Sequence, residues 1–138
     1  MIGTFQHTID AKGRLFIPAR LRDELGEKFY VTISGEECLL IYSLDRWESA
    51  LDKLKAMPLE DQMELRQVFA SASKCELDGQ GRIQLTQDLR EHAELVKNVT
   101  IVGTGLYVQI WDSEKYKVVQ DKERKRENIK VAMRKLNF

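Results

Sequence analysis

Proline and glycine are scarce. The 138 residues hold 2 Pro and 8 Gly, which excludes collagen-like repeats and Pro/Gly-rich disorder. Cysteine is scarcer still relative to what a stapled fold needs. Cys38 and Cys75 stand alone with no C-x-x-C spacing, so a disulfide scaffold or thiolate metal site is not expected, and reduced, buried thiols are. Long apolar runs are missing: Cys38 to Tyr42 spans five residues, against the ~20 that cross a bilayer. No membrane segment is expected. The start, Met-Ile-Gly-Thr-Phe-Gln-His, lacks a basic stretch followed by an apolar core, so the expected compartment is the cytoplasm. The two histidines, His7 and His92, have no carboxylate or thiol at a recognisable catalytic spacing, and neither G-x-x-x-x-G-K nor H-E-x-x-H occurs. The expectation is a protein that is not an enzyme, with no cofactor, metal or small-molecule substrate.

A net charge is also lacking, with 22 basic against 22 acidic side chains, but the balance hides segregation. Residues 115 to 138 hold nine basic and three acidic side chains, and residues 36 to 64 hold eight acidic and three basic. Residues 11 to 22 contain Lys12, Arg14, Arg20 and Arg22 with no acid. A polyanion responds to where positive charge gathers rather than to the total.

What is present is a repeat. Shifting the chain by 68 positions aligns residues 9–35 with 77–103 and gives nine identities in 27, including Asp10/Asp78, Gly13/Gly81, Arg14/Arg82 and Arg22/Arg90. With one insertion, Ile41-Tyr42 meets Ile110-Trp111 and Trp47 meets Tyr116. Two copies of one unit make up the chain. Each is near the size at which a lone domain cannot bury enough apolar surface, so the copies are expected to intertwine around one core.

The unit reads β-β-α-β-β, an α+β class. Phe5 to Ile9 and Leu15 to Ile17 are short strands around a turn where Gly13 can take positive φ. Pro18 to Leu25 is a helix ended by Gly26, with Thr86 as the N-cap in the second copy. Phe29–Ser34 and Cys38–Tyr42 form a strand pair, mirrored by Val99–Val102 and Tyr107–Trp111. Asp45 with Glu48 suggests a capping box for a helix with Trp47, Leu51 and Leu54 on one face. Pro58 is expected to break it and start another, with Leu65, Val68, Phe69 and Ala72 on one side. Ser113 is expected to cap a last helix towards Phe138, with Ile129, Met133 and Leu136 as its seam. The domain limits expected are 1–47 for the first repeat, 48–73 for a helical connector, 74–116 for the second repeat and 117–138 for a C-terminal helix.

The repeated D-x-x-G-R box carries the chemistry. Asp10 and Asp78 can accept backbone N–H bonds and hold a bend, Gly13 and Gly81 permit its geometry, and Arg14 and Arg82 leave it as forks of donors. Two readings stay open: the Arg pairs with the Asp to staple the bend, or it reaches a phosphate or a base. Around Arg14 stand Lys12, Arg20 and Arg22, whereas the second copy has Gln80, Asp88 and Arg90 with Glu76, Glu91 and Glu94 nearby. Unequal copies are expected. Trp47, Trp111 and Tyr116 are expected to be core anchors rather than base-stacking platforms.

With I-D-A-K-G-R-L-F-I-P-A-R-L-R at 9–22, its echo L-D-G-Q-G-R-I-Q-L-T-Q-D-L-R at 77–90 and the spacer helices, the chain resembles the MraZ family, built from two SpoVT-AbrB-type units. The resemblance implies an AbrB-like swapped-hairpin β-barrel made by tandem repeats within one chain. It also implies a transcriptional regulator that assembles into a homo-oligomeric ring and binds short direct repeats in double-stranded DNA upstream of the division and cell wall gene cluster, on the nucleoid. The family's DNA-contacting Arg maps onto Arg14, with Arg82 as its partner. An Arg on such a bend can contact guanine O6 and N7 in the major groove, while Lys12 and Arg20 bind phosphates and set the register, with Arg22 and Arg82 also counted among the DNA-binding residues. Lys122, Arg124, Lys125 and Arg126 are read as a solvated helix face of mixed charge rather than a DNA contact. The rival class is a non-catalytic interaction scaffold of antitoxin-like fold, binding a protein through the acidic helices between 45 and 73.

Overall fold

The computed structural model describes residues 1–138. The first repeat contributes β1 (Ile2–Thr8), β2 (Arg14–Phe16), α1 (Ala19–Leu25), β3 (Lys28–Ile33) and β4 (Cys38–Ser43). After α2 (Leu44–Lys55), α3 (Leu59–Glu64) and α4 (Arg66–Ala70), the second repeat gives β5 (Ser73–Glu76), β6 (Arg82–Gln84), α5 (Gln87–His92), β7 (Asn98–Thr104) and β8 (Val108–Asp112). Helices α6 (Ser113–Glu123) and α7 (Arg126–Met133) follow, then a 3-10 turn, Arg134–Leu136. The class is α+β, and no helix is long and apolar enough to cross a membrane.

The strands trade partners between repeats. A six-stranded antiparallel sheet runs β1-β7-β8-β4-β3-β5, and β2 pairs with β6 as a separate ribbon. Thus β1 of the first repeat pairs with β7 of the second, and β5 of the second pairs with β3 of the first. The register Ile2↔Thr104 extends β1 to Ile2, three residues before the start expected from its alternation. One cluster of 18 buried residues draws on both halves, among them Leu15, Leu21, Phe29, Ile83, Leu89 and Ile101. Neither repeat could close this core alone, because each one's strands complete the other's.

Local chemistry explains most element ends. Gly26 takes φ 79° and its N–H bonds Arg22 O, ending α1. Thr86 caps α5 through its side chain, accepting from the Leu89 N–H at 3.2 Å. Trp47 is buried and stacks on Tyr30 at 4.9 Å between centroids, and Trp111 is buried against Tyr116. Both cysteines are free and buried, and burial pushes the Cys38 thiol up to about 11.

Three expected elements differ. Ser43, not Asp45, caps α2, its hydroxyl accepting from the Arg46 N–H, because the helix starts directly at the end of β4. The segment after Pro58 divides at Leu65 into α3 and α4. The last helix also divides, at Arg124-Lys125. Residues 120–128 hold no apolar side chain, so nothing there ties one turn to the core. Ser113 does not cap α6; its hydroxyl joins Thr100 and Gln6.

Candidate nucleic-acid interface

Both D-x-x-G-R boxes fold into the same bend. In the first, the Asp10 carboxylate accepts the Lys12 and Arg14 N–H groups at 3.0 and 2.9 Å, while Arg14 Nε donates to Asp10 Oδ2 at 2.6 Å. In the second, Asp78 accepts from the Gln80 and Arg82 N–H groups at 2.8 and 2.9 Å and from Arg82 Nε at 3.0 Å. Gly13 and Gly81 take φ 80° and 76°, where a Cβ would be strained. The Arg14 N–H is the chief cause holding the Asp10 carboxyl below its ordinary range, and the Arg82 N–H does the same for Asp78.

The staple does not consume the arginines. Only Nε of Arg14 is engaged by Asp10, both Nη groups have no hydrogen-bond partner within the chain, and the side chain is 37% exposed. Arg82 repeats this with 29% exposure. The two readings of the box are therefore compatible, since a carboxylate aligns the guanidinium and leaves its outer edge for a second acceptor. Antiparallel pairing of β2 with β6 sets Arg14 opposite Gln84 and Phe16 opposite Arg82. Side chains alternate along a strand, so Arg14, Phe16, Arg82 and Gln84 share one face while Leu15 and Ile83 turn into the core. Arg14 and Arg82 are diagonal neighbours on that face.

The remaining basic residues divide. Lys12 is exposed at the tip of the first bend. Arg22 is half-buried, donates from Nε to Ile17 O at 2.7 Å, and lays its guanidinium over the Phe16 ring at 4.7 Å, below Gly81 of the other repeat. Arg20 lies on α1 over the Phe5 ring at 5.7 Å and makes no hydrogen bond to either bend. Two supporting residues were not foreseen from sequence. Gln84 Nε2 donates to Lys12 O at 2.9 Å, and the Arg90 guanidinium packs against Gly13, its Nε 2.9 Å from where a Cβ would stand. Arg90 stands in the repeat alignment opposite Arg22 and could have been found there. Gln84 aligns with Phe16 and carried no such signal.

Each bend is thus seated by the other repeat. Leu85 N–H donates to Gly13 O at 2.8 Å and Ile17 N–H donates to Gly81 O at 3.0 Å. The arrangement offers guanidinium edges and a lysine on a rigid ribbon. It has no nucleophile with an adjacent base, and no cluster of three or more His, Cys, Asp or Glu side chains could hold a metal ion anywhere in the chain.

Comparison with known proteins gives a consistent result. The family described as "MraZ protein, putative antitoxin-like" matches residues 1–67 and again 68–138. The chain is 43% identical over 118 residues to the transcriptional regulator MraZ of Alkaliphilus metalliredigens, covering 83% of this chain and 82% of that protein. It is 48% identical over 116 residues to that of Carboxydothermus hydrogenoformans, covering 82% and 81%. For that of Heliobacterium modesticaldum the identity is 44% over 124 residues, covering 88% and 87%.

Proposed function

The chain belongs to the MraZ family, and from that premise we propose that it regulates transcription by gripping short direct repeats in double-stranded DNA through the β2/β6 ribbon face. It is a regulator and not an enzyme, as its relatives are named. The observation that carries the reading is the pair of Asp-aligned guanidiniums, Arg14 and Arg82, half-exposed on one face with their Nη groups unused. Arg14 reads a guanine edge in the major groove, Lys12 and Arg20 hold phosphates, Arg22 steadies the ribbon and adds charge, and Arg82 contributes less. The exchanged strands support an AbrB-like swapped-hairpin barrel with repeats at 1–47 and 74–116, the connector 48–73 and the C-terminal segment 117–138. One chain reads few base pairs, so copies arranged in a ring engage tandem repeats and gain by effective concentration. The site of action is the nucleoid in the cytoplasm, with the division and cell wall gene cluster downstream of the operator.

The test compares binding to DNA with tandem repeats and to random DNA of equal length, measured by anisotropy across a salt series. Arg14→Ala weakens repeat binding by ~1–3 kcal/mol and random binding much less if it reads a base. Equal weakening on both DNAs reduces Arg14 to a phosphate contact. Binding indifferent to Arg14 and to salt overturns the DNA reading and favours the antitoxin-like scaffold.

A further inference from the structure

The residue directly across the ribbon from Arg14 is Gln84. It is exposed and shares the outward face with Arg14, while its neighbour Ile83 is buried. Its one hydrogen bond runs from Nε2 to Lys12 O at 2.9 Å. Only the NH2 end of an amide can meet a carbonyl oxygen, so this contact fixes which way round the side chain sits. One N–H is spent on it, and the other N–H and Oε1 have no partner within the chain. Arg14 is held in the same manner: one internal bond, from Nε to Asp10, aligns the group and leaves its outer edge free.

The second bend has nothing equivalent. Phe16 occupies the place of Gln84 in the repeat alignment and faces Arg82 across the ribbon. Its ring lies against the His7 ring at 5.1 Å and under the Arg22 guanidinium at 4.7 Å. Arg82 therefore has an apolar neighbour where Arg14 has a donor and an acceptor. Because both bends share one backbone, the contrast comes from side-chain chemistry at a single position.

We propose that Gln84 is a specificity-determining residue, which reads an adenine next to the guanine read by Arg14. The inference rests on the DNA reading of the ribbon face and adds a second base to it. In the major groove adenine presents N7 as an acceptor and its N6 amino group as a donor, matching the free N–H and Oε1 of Gln84. Guanine presents two acceptors, N7 and O6, and so sets O6 against Oε1. Thymine offers only the O4 acceptor and cytosine only the N4 donor, so each satisfies one of the two free groups. Directly opposite side chains in an antiparallel pair stand about 4.5–5.5 Å apart at Cβ, close to the ~3.4 Å step between stacked bases. Arg14 and Gln84 thus reach adjoining base pairs. The first bend reads two bases, and the second has its arginine alone.

Site selection from a pool of randomised duplexes long enough for tandem repeats tests it, with wild type, Gln84→Ala, Gln84→Met and Arg14→Ala. Anisotropy then compares the selected duplex with versions carrying each other base at the adenine. Wild type enriches a G with an A in the adjoining base pair, and binds that duplex about fivefold or more tighter than any version lacking the adenine. In both Gln84 variants the preference for A falls to about twofold or less while that for G persists; Arg14→Ala loses the G instead. The salt slope of both Gln84 variants stays at the wild-type value, because an amide neutralises no phosphate. If Gln84 only seats Lys12, its loss weakens every duplex alike and leaves the base preference intact. That result overturns the proposal, as does a wild-type site with no adenine beside the G. Wild type binding no duplex, or binding all of them alike, overturns instead the DNA reading beneath it.

Discussion

The two bends, Asp10–Arg14 and Asp78–Arg82, have the same backbone and different surroundings. In both, one carboxylate collects two N–H groups and the Nε of the closing arginine, and a glycine turns the chain at φ 80° or 76°. Away from those positions they part. Each has an arginine of the other repeat packed against its glycine, Arg90 at Gly13 and Arg22 at Gly81, but the first has Lys12 at its tip and its backbone held by Gln84, whereas the second has Gln80 at its tip. Duplication kept the residues that fix geometry and let the charged ones at the surface drift. A repeat is thus evidence for a shared shape, while shared chemistry has to be argued from side chains that the shape leaves free.

Glycine substitution separates the bends most strongly. A Cβ on Gly13 lies 2.7 Å from Leu85 O, a backbone atom held in the pairing between repeats. The three atoms nearest a Cβ on Gly81 all belong to the movable end of Arg22. Both substitutions add about 1–2 kcal/mol of left-handed strain, and Gly13→Ala adds the backbone clash, for a total of roughly 3 kcal/mol or more. Urea midpoints at unchanged slope measure the difference; equal losses would show that the two glycines face the same constraint.

Arginine removal on DNA comes next. Arg14→Ala loses ~1–3 kcal/mol on repeat DNA, and Arg82→Ala loses less than about 1 kcal/mol if its contact is phosphate alone. The comparison sharpens when the second bend is given the first one's charges. Gln80→Lys/Asp88→Arg tightens binding and steepens the salt slope by roughly 0.9 per phosphate gained. An unchanged slope would mean the second bend does not reach the duplex.

Gln84→Ala removes one exposed hydrogen bond, about 1 kcal/mol or less. Its signature is local: amide exchange quickens at Lys12 and Gly13 and stays constant at Gln80 and Gly81. Quickening at both bends would point to loss of the ribbon instead.

Acid gives the smallest effect, and it strikes both bends. Asp10 and Asp78 are held below their ordinary 3.8 in the folded chain, chiefly by the Arg14 and Arg82 N–H groups. The unfolded chain therefore binds protons first, so this contribution is complete above 3.8 and is lost as pH falls through the lower folded values. Asp10→Asn flattens the acid titration of amide signals in the first bend alone. A flattening in both would show that the two staples titrate as one.

Much of this was legible in the amino-acid order. The D-x-x-G-R spacing is short enough that a carboxylate, a glycine and an arginine interact within one bend, and both bends formed as read. Thr86 as a cap and Gly26 as a helix end are equally local. Misreadings came where two local signals competed or where a periodic seam ran on past a polar stretch. Asp45 had the pattern of a cap, but the helix started at the end of β4 and Ser43 took the role. The seam Ile129, Met133 and Leu136 reads as one continuous helix, yet the helix divides at Arg124-Lys125 and the seam stays exposed.

The sequence by itself determined that there are two copies of one α+β unit, where each bends, and that positive charge gathers around the first bend. These depend on contacts within a few residues, where chain connectivity guarantees proximity. Only the tertiary structure decided that β1 pairs with β7 and β5 with β3, that Gln84 and Arg90 seat the first bend, and that Arg14 and Arg82 share a face. Those contacts join residues from 42 to 102 positions apart, and which of many similar strands pairs with which is fixed by burying one common core, a condition that no short stretch of the chain can express.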